Sequence, residues 1–147
     1  MTGNFADRLL GAIERAGSPV CVGIDPVCER LPSDFDKVPD PVRAIEQFSR
    51  VVLEIVAGIV PAVKVQIAYF ERYGSKGVAA YERIVADALS AGLIVIGDVK
   101  RGDIGSTVRA YAAGHLERLE DQVGRLFGEP PDLPTPVSYT HLTLPTN

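Results

Sequence analysis

The 147-residue chain is 46% hydrophobic with a formal net charge of −4, which suits one globular domain with its own core rather than a disordered chain. The negative balance argues against nucleic acid or an anionic membrane as partner. No apolar run approaches the roughly 20 residues of a membrane span, and the N-terminus, carrying Asp7 and Arg8, lacks the order of a signal peptide, so a cytoplasmic location is expected.

Phe5, Leu9, Leu10 and Ile13 recur at helical spacing and predict an amphipathic helix over 4–16, ended by Gly17 and Pro19. Val20-Cys21-Val22-Gly23-Ile24, stopped by Asp25-Pro26, suits a strand buried on both faces. Cys21 in that run reads as core. Cys21 and Cys28 form neither a CxxC pair nor a cluster with His115 or His141, so no zinc site is expected. Both thiols should be reduced in the cytosol. Residues 27–41 are rich in proline and charge and read as a loop. A second helix is predicted over 42–58, with Ile45, Phe48, Val52 and Ile55 on one face.

The pattern then repeats. Residues 60–67 read as a second strand, with Pro61 tolerated only at its beginning. A helix over 78–91 carries Ile84, Val85, Ala88 and Leu89 and stops at Gly92. Leu93 to Gly97 form the third strand, and a last helix runs from near Ile104 to about Phe127. Strands alternating with helices imply parallel strands joined by crossover helices.

Each strand ends in polar side chains: Asp25 after the first, Lys64 and Gln66 in the second, Asp98 and Lys100 after the third. Parallel α/β folds bind ligands at the C-terminal ends of their strands. Asp98 and Lys100 are two apart and point to one side of an extended backbone, while Asp103 lies past the turn at Gly102. Taken singly, each residue has a plainer explanation. Asp25-Pro26 makes a turn, Asp103 caps a helix, Lys64 snorkels, and Lys100 pairs with Asp98 at the surface. Their joint placement on one rim favours an electrostatic site that needs neither metal nor cofactor.

Four stretches carry a resemblance: Cys21-Val22-Gly23-Ile24-Asp25-Pro26; Val63-Lys64-Val65-Gln66 with Ala68-Tyr69-Phe70-Glu71; Asp98-Val99-Lys100-Arg101-Gly102-Asp103-Ile104-Gly105-Ser106-Thr107; and Ala110-Tyr111-Ala112. Together they resemble orotidine 5′-phosphate decarboxylase, closest to the bacterial branch with the longer loop after the first strand. The DxKxxD element alone is shared with related decarboxylases and aldolases; the Ile-Gly-Ser-Thr that follows it and the second-strand lysine make the match specific.

The resemblance implies a (β/α)₈ TIM barrel, of which this chain is the N-terminal part, and usually a homodimer with sites at the subunit interface. It implies conversion of orotidine 5′-monophosphate to UMP and CO₂ in de novo pyrimidine synthesis, without cofactor. By matched motif, Lys100 is the proton donor to C6 and Asp98 lies by the substrate carboxylate. Asp25 and Lys64 join the charged array and bind the ribose, and Asp103, Ile104 and Thr107 reach the neighbouring subunit's site. Magnesium-dependent sugar-phosphate decarboxylases and aldolases resemble the chain through DxKxxD, but carry an acidic residue where Lys64 stands. A lysine there repels a divalent cation, so no metal is expected. An inactive truncated fragment, or a small α/β binding domain, are the non-enzymatic alternatives.

A complete barrel takes ~250 residues, and the resemblance stops after about Thr135. Residues 1–135 therefore read as a partial barrel domain and 136–147 as a tail unlike the family. That tail resembles a sequence appended to truncated reading frames; alternatively, its Tyr, Thr, Val and Leu residues suit a fourth strand.

Overall fold

The computed structural model describes residues 4–101, together with Thr107, Ala110, Tyr111, Gly114 and His115 and the backbone of Tyr139–Thr140. Helix α1 (Phe5–Ala16) begins where Asn4 Oδ1 accepts the Asp7 N–H at 3.0 Å and ends at Gly17, whose φ of 62° is one that glycine adopts freely. Helix α2 (Pro41–Val56) has Asp40 as its cap, accepting the Val42 N–H at 2.9 Å, and proline in its first turn, where no amide is needed.

Strands β1 (Cys21–Ile24), β2 (Ala62–Gln66), β3 (Ile94–Asp98) and β4 (Tyr139–Thr140) form one sheet in the order β1-β2-β3-β4. All three pairings are parallel. Between β2 and β3 lie a single helical turn, α3 (Ala68–Glu71), and α4 (Gly74–Ser90).

Strand periodicity sorts the side chains onto two faces. Val63, Val65, Val95 and Val99 are fully buried and form one cluster with Ile45 and Leu53 of α2, Phe70 of α3, and Ile84 and Ala88 of α4. The opposite face carries Cys21, Gly23, Lys64, Gln66, Ile96 and Asp98, none of them buried. The register sets Gly23 beside Lys64 and Lys64 beside Ile96, with Gln66 beside Asp98 one pleat further on.

Two contacts hold the helical layer together. Buried Glu46 on α2 takes both oxygens to Arg83 of α4 at 2.8 Å and one to Arg50, which in turn reaches Asp87 of α4 at 2.8 Å. At the start of α4, Gly77 sits so close to α3 that a β-carbon there would lie 1.9 Å from the Phe70 carbonyl oxygen. The Phe70 ring meets Tyr81 edge-on, with centroids 5.8 Å apart.

Several sequence-based expectations need correction. Cys21 is exposed, and within β1 only Ile24 is buried. The cause is position: among the described residues β1 has a neighbour on one side only, and Cys21 lies on the face opposite α2 and α4. On α2 the buried stripe runs through Val42, Ile45, Ser49 and Leu53, so Ile55 falls outside it and is 63% exposed. On α1 only Ala12 is buried, and Leu10 is exposed. Helix α4 starts at Gly74, ahead of its predicted beginning, and the loop after β1 holds two short 3₁₀ turns, Cys28–Arg30 and Ser33–Phe35. Of the helix expected from Ile104 to Phe127, the described residues from Thr107 to His115 have helical backbone; the rest lies outside the described residues.

Candidate active site

The parallel register brings the C-terminal ends of β1, β2 and β3 side by side, and with them a row of alternating charge. Lys64 Nζ lies 3.1 and 3.3 Å from the two Asp25 oxygens and 3.9 Å from Asp98. Asp98 is then met at 2.5 Å by the ammonium of Lys100. Gln66 Nε2 donates to Asp98 Oδ2 at 2.8 Å, and its own Oε1 accepts the Ala68 N–H at 3.3 Å, which fixes the amide's orientation. Asp98 is thus the shared partner of Lys64, Gln66 and Lys100. Its side chain is 14% exposed, whereas that of Lys100 is 60% exposed and open to a ligand.

The Tyr81 hydroxyl, on the helix side of the sheet, is pushed up to about 12, first by burial and then by the negative charge of Asp98. Tyr81 therefore stays neutral and leaves the charge pattern to the strand ends. The half-buried imidazole of His115 is held below its ordinary value by burial and by Arg101, with Glu71 opposing.

Lys100 has φ of 42°, the left-handed region that a residue bearing a β-carbon enters at a cost on the order of 1 kcal/mol. Next to it, Arg101 Nη1 donates to the Val99 carbonyl at 2.7 Å, and Arg101 Nη2 pairs with Glu71 of α3.

The structure thus assembles four of the residues singled out in the sequence: Asp25, Lys64, Asp98 and Lys100. Thr107 has helical backbone and is exposed, while Asp103 and Ile104 lie outside the described residues. The sequence reading passed over Gln66 as a contact of Asp98, although the two-residue step from Lys64 places both side chains on one face. It also passed over the Arg101–Glu71 pair, which spans 30 positions and leaves no local pattern. A cavity of about 550 Å³ lies elsewhere, between α2 and α4, and is lined by Arg43, Glu46, Lys76 and Arg83. It contains none of the strand-end array. Among the described residues no group of three or more His, Cys, Asp or Glu could hold a metal ion.

An ammonium fixed between carboxylates can stabilise negative charge developing on a bound substrate and then supply a proton. A protein of Nocardioides sp. named orotidine 5′-phosphate decarboxylase is 49% identical over 113 residues, covering 77% of this chain and 40% of the relative. One of the same name from Streptomyces coelicolor is 46% identical over 114 residues. A crystal structure from Streptomyces avermitilis, provisionally assigned the same activity, superimposes with a TM-score of 0.68 at 47% identity, over 76% of this chain and 38% of that one. The chain therefore spans about 40% of the length of the curated relatives it matches, and its strand–helix units are the first part of a (β/α)₈ barrel. The family model for orotidine 5′-phosphate decarboxylase / HUMPS proteins matches residues 18–122, most of the chain, and to that family the chain belongs.

Proposed function

We propose that this chain is the catalytic-lysine half of an orotidine 5′-phosphate decarboxylase, acting on orotidine 5′-monophosphate without a metal or an organic cofactor. The observation that carries the reading is the Asp25–Lys64–Asp98–Lys100 row, with a lysine rather than a carboxylate on the second strand. In the reaction the bond from C6 to the carboxylate breaks, CO₂ departs, and the electron pair remains on C6. The Lys100 ammonium stabilises that pair and then gives C6 its proton, to be replenished from solvent. Asp98 lies by the leaving carboxylate and holds Lys100, while Asp25 and Lys64 take the ribose hydroxyls. Asp103, Ile104 and Thr107 complete the site of a partner subunit in a cytoplasmic homodimer, and neither nucleic acid nor membrane is a partner. The decarboxylase domain lies within residues 1–135, and the family match ends at residue 122; of the tail 136–147, unlike the family in sequence, Tyr139–Thr140 add a short strand beside β3.

The experiment is to graft residues 18–122 into the Nocardioides relative in place of its matching segment and to follow UMP formation. Turnover is expected, and Lys100→Ala should abolish it with the fold intact. Near-parental kcat in the Lys100→Ala graft overturns the assignment. The 147-residue chain alone is expected to form no UMP. It spans too little of a barrel to supply the remote phosphate contacts that hold a substrate at the reacting centre.

A further inference from the structure

Among the described residues, Lys100 is the one residue other than glycine with positive φ. Nothing in its own chemistry favours that conformation, since a lysine released from its surroundings relaxes to the right-handed or extended regions. The relaxation redirects the Cα–Cβ bond, and with it the ammonium that meets Asp98. Something adjacent must hold the turn.

We propose that Arg101 and Glu71 form a positioning clamp that holds Lys100 in its left-handed turn and thereby fixes its ammonium on Asp98; the catalytic consequence rests on the decarboxylase reading above. Arg101 Nη1 donates at 2.7 Å to the carbonyl of Val99, so the guanidinium of the residue after Lys100 is tied to the backbone of the residue before it. Lys100 is enclosed in that short ring. Arg101 Nη2 carries the tie onward to Glu71 on α3. Both ends are anchored: Val99 is 1% exposed, and Phe70, next to Glu71, is fully buried beneath Tyr81 and seated against Gly77. A guanidinium serves this role because its planar fork donates in two fixed directions at once, which an ammonium cannot do. Glu71 also offsets a positive charge that would otherwise stand beside Lys100. Neither Arg101 nor Glu71 belongs to the strand-end row.

The test has two arms. In the first, the lysines of the 147-residue chain, Lys37, Lys64, Lys76 and Lys100, are labelled by reductive ¹³C-methylation, which preserves their charge, and followed by NMR. The Lys100 methyl signal should stand apart from those of exposed Lys37 and Lys76. In Arg101→Ala and in Glu71→Ala it should move to their position while the Lys64 signal stays. In the second arm, the same substitutions in the grafted enzyme should lower kcat on the order of 100-fold, as expected for a reacting group displaced by about 1 Å, with KM nearly unchanged. Arg101→Lys should rescue little, because it keeps the charge but not the fork.

A Lys100 signal that stays in place in both variants, or an unchanged kcat, overturns the clamp. If the graft shows no turnover before any substitution, the decarboxylase reading fails and the NMR arm still decides the clamp. If Arg101→Ala does not fold, Glu71→Ala, which removes the acceptor of Arg101 Nη2 and so frees the guanidinium from α3, decides it.

Discussion

Replacing Gly77 by alanine tests how the helical layer is seated beneath the site. The added β-carbon would lie 1.9 Å from the Phe70 carbonyl oxygen, 2.8 Å from its carbon and 3.1 Å from the Tyr73 β-carbon. The closest atoms are backbone and cannot rotate away, so α4 must lift from α3. Overpacking of this kind costs about 1–3 kcal/mol, and the backbone contact puts Gly77→Ala at the upper end. Against this stands the helix propensity of alanine over glycine, about 1 kcal/mol. The expected net loss is about 2 kcal/mol, read as a lower urea midpoint with unchanged slope. Gly11→Ala is the matched control. Its β-carbon would meet only the flexible end of Arg15 at 3.4 Å, so the propensity term acts alone and stability should rise by up to about 1 kcal/mol. If Gly77→Ala equals or exceeds the parent in stability, the close seating of α4 on α3 is wrong.

Glu46→Gln should destabilise the chain by about 2 kcal/mol near neutral pH, below the 3–5 kcal/mol of a fully buried pair because both arginines are partly solvated. Arg83 first, and Arg50 after it, hold the Glu46 carboxyl below its ordinary 4.5, so the stabilisation is complete above that value and lost as pH falls through the lower folded value. Urea titrations in neutral and in acid buffer should therefore show the two chains converging in acid; a constant gap refutes the linkage. The grafted enzyme should keep its activity after dialysis against EDTA, since Lys64 already bridges Asp25 and Asp98 where a cation would sit. Loss restored by magnesium would move the chain to the sugar-phosphate branch. Mixing Lys100→Ala and Asp103→Ala grafted subunits should recover part of the activity, because one hybrid site keeps both groups; no recovery after confirmed subunit exchange counts against a shared site.

The strands and crossover helices were legible because their signals are local: apolar runs for strands, helical spacing for the helices, and glycine or proline at their ends. Part of the rim was legible for the same reason, since a two-residue step places Lys64 and Gln66 on one side of β2; Lys100 instead stands past the end of β3 with a left-handed backbone and meets Asp98 from that turn rather than along an extended strand. Burial was less legible. Cys21 and Ile55 read as core because hydrophobicity reports affinity for an interior without reporting whether a neighbour arrives. An edge strand and the flank of a helix supply none. The pairs Arg101–Glu71 and Glu46–Arg83 were out of reach, because side chains 30 and 37 positions apart meet only after the fold has formed.

Asp98 receives Lys64, Gln66 and Lys100 at one carboxylate. That convergence has a bearing on how such a site changes over generations. Substitutions at the three donors cannot be neutral independently of one another, since each alters the charge balance the other two meet. An acidic residue in place of Lys64 would leave it with Asp25 and Asp98 as three carboxylates against the single charge of Lys100. Any mutational path from this array to a cation-binding one therefore crosses an electrostatic ridge, unless the ion is acquired in the same step.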